Sequence, residues 1–144
     1  PVMVDVMPEE NSTMSTRFAS CSCGQLTAQV VGEPMRVSIC HCLACQRRTS
    51  SVFGEQARFP RESVSVSGAS TEYIRVGDEG SRIKFHFCPK CGSTVYYEPE
   101  GLEAFLVIPV GAFADPNFPP PRVSVYESRK HQWVVPPPEA EHMR

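Results

Sequence analysis

Cys40-His41-Cys42-Leu43-Ala44-Cys45 packs three thiols into one short stretch. Two other stretches, Cys21-Ser22-Cys23-Gly24 and Cys88-Pro89-Lys90-Cys91-Gly92, bring the total to seven cysteines. The spacings C-x-C, C-x-C-x-x-C and C-x-x-C are those of metal ligands rather than of a disulfide framework. The odd count agrees, because pairing would leave one thiol over. Cys88 and Cys91 can share one ion if the turn between them is tight. Gly92 would relieve crowding where backbone amides turn toward the sulfurs. A reactive dithiol is the other reading of this pair, but no βαβ pattern surrounds it. In a strand, Cys21 and Cys23 would point to one face and grip an ion together. Alone, they read equally well as two thiols packed as small hydrophobes. Joined to Cys88 and Cys91, they complete a four-thiolate tetrahedron, a closed and structural kind of site. Zinc is the expected ion there, and iron is the alternative.

That partition leaves Cys40, Cys42 and Cys45 with a vacancy. Three protein ligands and an open fourth position is the arrangement of a catalytic zinc, which lowers the pKa of a water or thiol placed there. A histidine could instead close the set. His41 lies between two ligands and should point away; His86 alternates with core residues and should face outward; His131 is the best extra ligand. Arg47 and Arg48 follow the triad. They are either a clamp for the carboxylates of an anionic substrate or a solvated pair of charges. Trp133 would wall a pocket or, by default, join the core.

Short extended segments must position these groups. Leu26, Ala28 and Val30 alternate with polar residues, and Val37 and Ile39 alternate into Cys40. Residues 43–48 lack turn formers and suit one short helical turn. Extended character returns over 52–59 and stops at Pro60. Strict alternation over 63–67 ends at Gly68, and a strand over 71–76 meets a turn at 77–80. Ile83, Phe85 and Phe87 form one apolar face that runs into Cys88. Further strands are expected over 94–97, 105–108 and 123–125. No sustained helical period appears, so the chain reads as a mostly antiparallel β domain.

With 144 residues, one domain with a real core is expected. Residues 1–15 read as a flexible arm, 16–135 as the domain and 136–144 as a flexible tail. The net charge is −2 with scattered Lys and Arg, which argues against nucleic acid and against an anionic membrane surface. The longest apolar run, 105–110, is too short to span a bilayer. The first residues carry acids rather than a basic stretch followed by an apolar one, so a cytoplasmic location with reduced thiols is expected.

The three cysteine elements, in this order, resemble those of the glutathione-dependent formaldehyde-activating enzyme family. The closing His131-Gln132-Trp133 is a further point of likeness, and the resemblance runs over roughly residues 17–135. It implies a β-tent of small antiparallel sheets built around a structural zinc held by Cys21, Cys23, Cys88 and Cys91. It also implies a second, catalytic zinc at Cys40, Cys42 and Cys45. The implied activity is that of a carbon–sulfur lyase like S-(hydroxymethyl)glutathione synthase, with glutathione as the small-molecule thiol partner and formaldehyde or another aldehyde as co-substrate. The sequence departs from the family where Gln46 replaces a usual basic residue and Ser50 a common glycine, both expected to lie beside the substrate. A non-enzymatic, zinc-stabilised interaction module of the same architecture is the rival expectation. A redox sensor cycling its triad through a disulfide is a third.

Overall fold

The fold is known from a computed structural model that describes residues 15–77 and 79–144. The expected arm over 1–14 lies outside the described residues. In chain order the strands are β1 (Thr16–Ser20), β2 (Thr27–Val31), β3 (Arg36–Cys40), β4 (Gly54–Pro60), β5 (Val64–Ser67), β6 (Thr71–Val76), β7 (Arg82–Phe87), β8 (Thr94–Pro99), β9 (Phe105–Pro109), β10 (Val123–Val125) and β11 (Glu141–His142). The helix α1 (Leu43–Thr49) follows β3 directly. The chain is mainly β, as its alternating patterns predict.

Two sheets form. One has three strands in the order β1-β2-β5, and the other has eight in the order β11-β10-β3-β4-β9-β8-β7-β6. Alternation decides which side chains meet between them. Ala28 and Val30 of β2 are fully buried, as are Ala57 and Phe59 of β4, Val95 of β8 and Ile108 of β9. These residues from both sheets share one core with Leu26, Val37 and Phe113. Each large side chain buried this way contributes about 1.5–3 kcal/mol.

Several local expectations need correction. β1 is a strand of its own, antiparallel to β2. β10 runs parallel to β3 and to β11, the two parallel pairings among the described strands, which otherwise pair antiparallel. Residues 136–144, expected to be a tail, run beside β10, with Glu141 and His142 in its ladder and Ala140 buried. His86 does not face outward. It is buried, with Nε2 2.6 Å from Glu98 Oε2 and its ring stacked on Tyr96. It lies on the face of β7 opposite Phe85, where its cross-strand neighbour Tyr96, together with Glu98 and Ser70, covers it. Trp133 is 70% exposed, so it is not core. Among the described residues no helix is long and apolar enough to cross a membrane.

Candidate functional site

The four-cysteine cluster sits where the two sheets meet. Cys21 and Cys23 lie in the turn between β1 and β2, not within a strand, and Cys88 and Cys91 lie in the turn between β7 and β8. The first turn is closed by the Cys21 amide donating to the Leu26 carbonyl and by the Gly24 amide donating to the Cys21 carbonyl. In the second, the Gly92 amide donates to the Cys88 carbonyl, and Gly92 takes a φ of 82°, a left-handed value that glycine adopts without strain. The Lys90 amide then points at Cys88 Sγ from 3.3 Å. A Ser22–Ser93 hydroxyl pair at 2.9 Å ties one turn to the other.

The four sulfurs lie within 4.8 Å of one another, with Cys21–Cys23 and Cys23–Cys88 separations of 3.7 Å. A tetrahedron of thiolates bonded to zinc at about 2.3 Å has an edge of about 3.8 Å. Thiols this close cannot all ionise together. Ser93, through its amide and its hydroxyl, holds Cys91 down at about 5. Cys23, against the pull of the Gln25 amide, is pushed up to about 11 by burial and by its neighbouring thiols. A divalent cation resolves that conflict, so the donor set fits a closed metal site.

The three-cysteine cluster is built at the end of β3. Cys40 is its last residue, paired in register with Gly54 of β4. Cys42 is the N-cap of α1, its Sγ accepting from the Cys45 amide at 3.3 Å. Cys45 lies one helical turn on, which returns its sulfur to the side of Cys42. All three are buried, and their sulfurs also lie within 4.8 Å of one another. Hydrogen bonds from Cys40 and Cys42 hold Cys45 well below the usual thiol range, and Arg48 and Arg75 add positive charge. Cys40 is pushed up, chiefly by sharing hydrogens with Cys42 and Cys45 and also by burial. Three thiols in mutual contact fit a metal ion with a further position left for another ligand.

No histidine joins this set. His41 turns away as its spacing requires: it is fully buried, with Nε2 3.0 Å from Ser124 Oγ. His131 is exposed, and its Nε2 meets Gln46 Oε1 at 3.1 Å. Gln46 also donates to the carbonyls of His41 and Arg129. It therefore fastens α1 to the segment after β10 and does not line the space beside the sulfurs. Ser50 is exposed and forms the left-handed C-cap of α1 at φ 54°, where glycine would sit without strain. Both departures from the family pattern thus concern helix anchoring rather than the cavity.

The triad opens on a cavity of about 250 Å³. Phe85, Tyr97 and Val107 give it an apolar wall. Arg36, Arg48, Arg58 and Arg75 line it against a single described carboxylate, Glu79. Arg36 and Arg58 stand directly opposite each other across the β3–β4 ladder, a repulsive placement, and burial and Arg36 lower the pKa of Arg58. Arg48 Nε and Nη2 and Arg75 Nε and Nη1 are buried without a hydrogen-bond partner, an arrangement that costs about 1–3 kcal/mol for each such group. Tyr126 packs on the triad in the left-handed region, at φ 57°. Burial, then Glu79 beside it, pushes its phenol up to about 12.

Arg48 therefore lines the cysteine cavity. Arg47, rotated about 100° around the helix, is exposed and faces the outer groove between α1 and β6 instead. Arg75, Arg36, Arg58, Tyr126 and Glu79 were not singled out by sequence. The alternation of β3, which puts Arg36 on the face of Cys40, is the signal that could have flagged one of them.

These features define a class: a small, mainly β protein with two cysteine clusters suited to metal ions, one joining the sheets and one beside a cavity. A family profile described as glutathione-dependent formaldehyde-activating enzyme matches residues 16–129. The chain belongs to that family. Its fold is also similar to the crystal structure of a Rhodobacter sphaeroides protein solved as a structural genomics target. That likeness has a TM-score of 0.52 and 17% identity, and covers 88% of this chain and 99% of the other. No curated protein matches in sequence.

Proposed function

We propose that this protein is a zinc-dependent, carbon–sulfur lyase-like enzyme that joins a thiol such as glutathione to formaldehyde or another small aldehyde, and runs the reverse cleavage. The observation that carries this reading is the buried triad of Cys40, Cys42 and Cys45 opening on a lined cavity. Zinc held by these three residues would favour the thiolate of a substrate and polarise a carbonyl. A second zinc, held by Cys21, Cys23, Cys88 and Cys91, would be structural, giving two per chain.

In the forward direction the thiol sulfur bonds to the carbonyl carbon, the C=O double bond becomes single, and the thiol proton ends on that oxygen. Nothing is oxidised. The chain's own residues divide the remaining work. Phe85, Tyr97 and Val107 keep water from the apolar side of the cavity. Tyr126, packed on the triad and carrying its proton, is the side chain assigned to move a proton between sulfur and oxygen. Of the two arginines after the triad, Arg48 is the one assigned to hold substrate, because it lines the cavity.

The test is metal content per chain on reduced protein, repeated with glutathione, together with the spectrum of cobalt-substituted protein. Two ions and a spectrum that shifts on adding thiol are expected. One ion, unmoved by thiols, would overturn the enzymatic reading and favour an interaction module.

A further inference from the structure

We propose that Arg48 and Arg75 together form a carboxylate-binding subsite, so that the cavity selects thiols bearing a carboxylate a short carbon chain from the sulfur. This rests on the thiol-adduct reading above and narrows its substrate class.

The two arginines lie far apart in sequence, one on α1 and one on β6. They converge on the same ring: their guanidinium carbons stand 5.1 Å and 4.8 Å from the centre of Phe85. Arg48 also lies 5.3 Å from the centre of Tyr97. The aromatic shelf attracts both cations. It leaves the N–H edges unanswered. Neither arginine has a salt bridge among the described residues, and each keeps two buried nitrogens without an acceptor. Two cations with buried, unanswered nitrogens are destabilising until an anion pairs with them.

The chain also makes room for this arrangement. Gly54 stands where a β-carbon would come within 3.2 Å of Arg48 Nη2 and 3.4 Å of Cys45 Cβ. A side chain there would push the guanidinium off its place. Because Arg48 and Cys45 are both that close to one point, a bound carboxylate and the sulfur of the same molecule need only a short chain between them. A guanidinium fork binds a carboxylate through two parallel hydrogen bonds, which a neutral amide cannot match.

The rival role for these arginines is to offset the charge of the triad itself. The two roles separate in one experiment. Wild type, Arg75→Leu and Arg75→Lys, all metal-loaded, are titrated calorimetrically with 3-mercaptopropionate, with 3-mercaptopropionamide and with the thioether 3-(methylthio)propionate. Metal content and melting temperature are measured in parallel. The wild type is expected to prefer the acid over the amide by about 10- to 100-fold. Arg75→Leu should erase that preference without lowering metal content, and should melt no lower than wild type, because an unpaired buried charge has been removed. Arg75→Lys should keep part of it. Equal binding of acid and amide by wild type overturns the subsite. So does an equal loss of both ligands, or of metal, in Arg75→Leu. If neither thiol binds, the thiol-adduct reading fails by itself. The thioether acid then decides the subsite: Arg75-dependent binding supports it, and no binding overturns it.

Discussion

A β-carbon on Gly54 would stand 3.2 Å from Nη2 of Arg48. The strand position opposite Cys40 is thus empty of side chain so that a cation from the helix can lie beside the cysteine triad. This glycine is required by space, since its φ is not among the positive values in the chain.

The first expectation follows directly. Gly54→Ala asks its neighbours to yield by a few tenths of an ångström and should cost less than about 1 kcal/mol. Gly54→Val presses on both Arg48 and Cys45 and should cost about 1–3 kcal/mol while also weakening thiol binding. Denaturant unfolding and calorimetric thiol titration measure the two effects. A valine variant with wild-type thiol affinity would mean that Arg48 has room elsewhere.

Cys42→Ser should separate fold from activity. Serine is a good N-cap, so its oxygen can accept from the Cys45 amide as the sulfur does, and stability should change by less than about 1 kcal/mol. Metal content should drop by one ion per chain, and adduct formation should vanish. Unchanged turnover would remove the triad from the mechanism.

Cys88→Ser should behave in the opposite way. Cys88 is fully buried and belongs to the cluster that fastens the β1–β2 turn to the β7–β8 turn. Losing that junction should destabilise the protein by more than about 4 kcal/mol. A strong chelator should lower the melting temperature of wild type and leave the variant little changed. Equal stability of variant and wild type in denaturant would show that packing alone joins the sheets.

The C-terminal strand should respond to pH. His142 of β11 sits 2.7 Å from Glu127, whose carboxylate raises its pKa. The pairing is therefore complete below the unfolded histidine value of about 6.5 and fades as pH rises through the higher folded value. Amide exchange in β11, corrected for its intrinsic pH dependence, should accelerate above neutrality. His142→Gln should flatten that response. An identical pH profile in the variant would assign the docking of β11 to its backbone bonds alone.

Sequence by itself determined the donor inventory and its partition. The spacings C-x-C, C-x-C-x-x-C and C-x-x-C fix which sulfurs can approach locally. Alternation at Ala28 and Val30 fixes which face of β2 is buried. These are short-range properties, and the chain states them outright. Tertiary structure decided what surrounds the triad. Arg75 reaches it only because β6 closes the edge of the large sheet beside Phe85, and Tyr126 only because β10 runs parallel to β3. His86 is buried under Tyr96 and Glu98 of the neighbouring strand, and Trp133 turns outward though its type predicts burial. Each depends on pairing between distant segments, where one residue of slip exchanges the faces of a strand. The two cysteine clusters were therefore legible from spacing, whereas the cavity beside the triad was set by register.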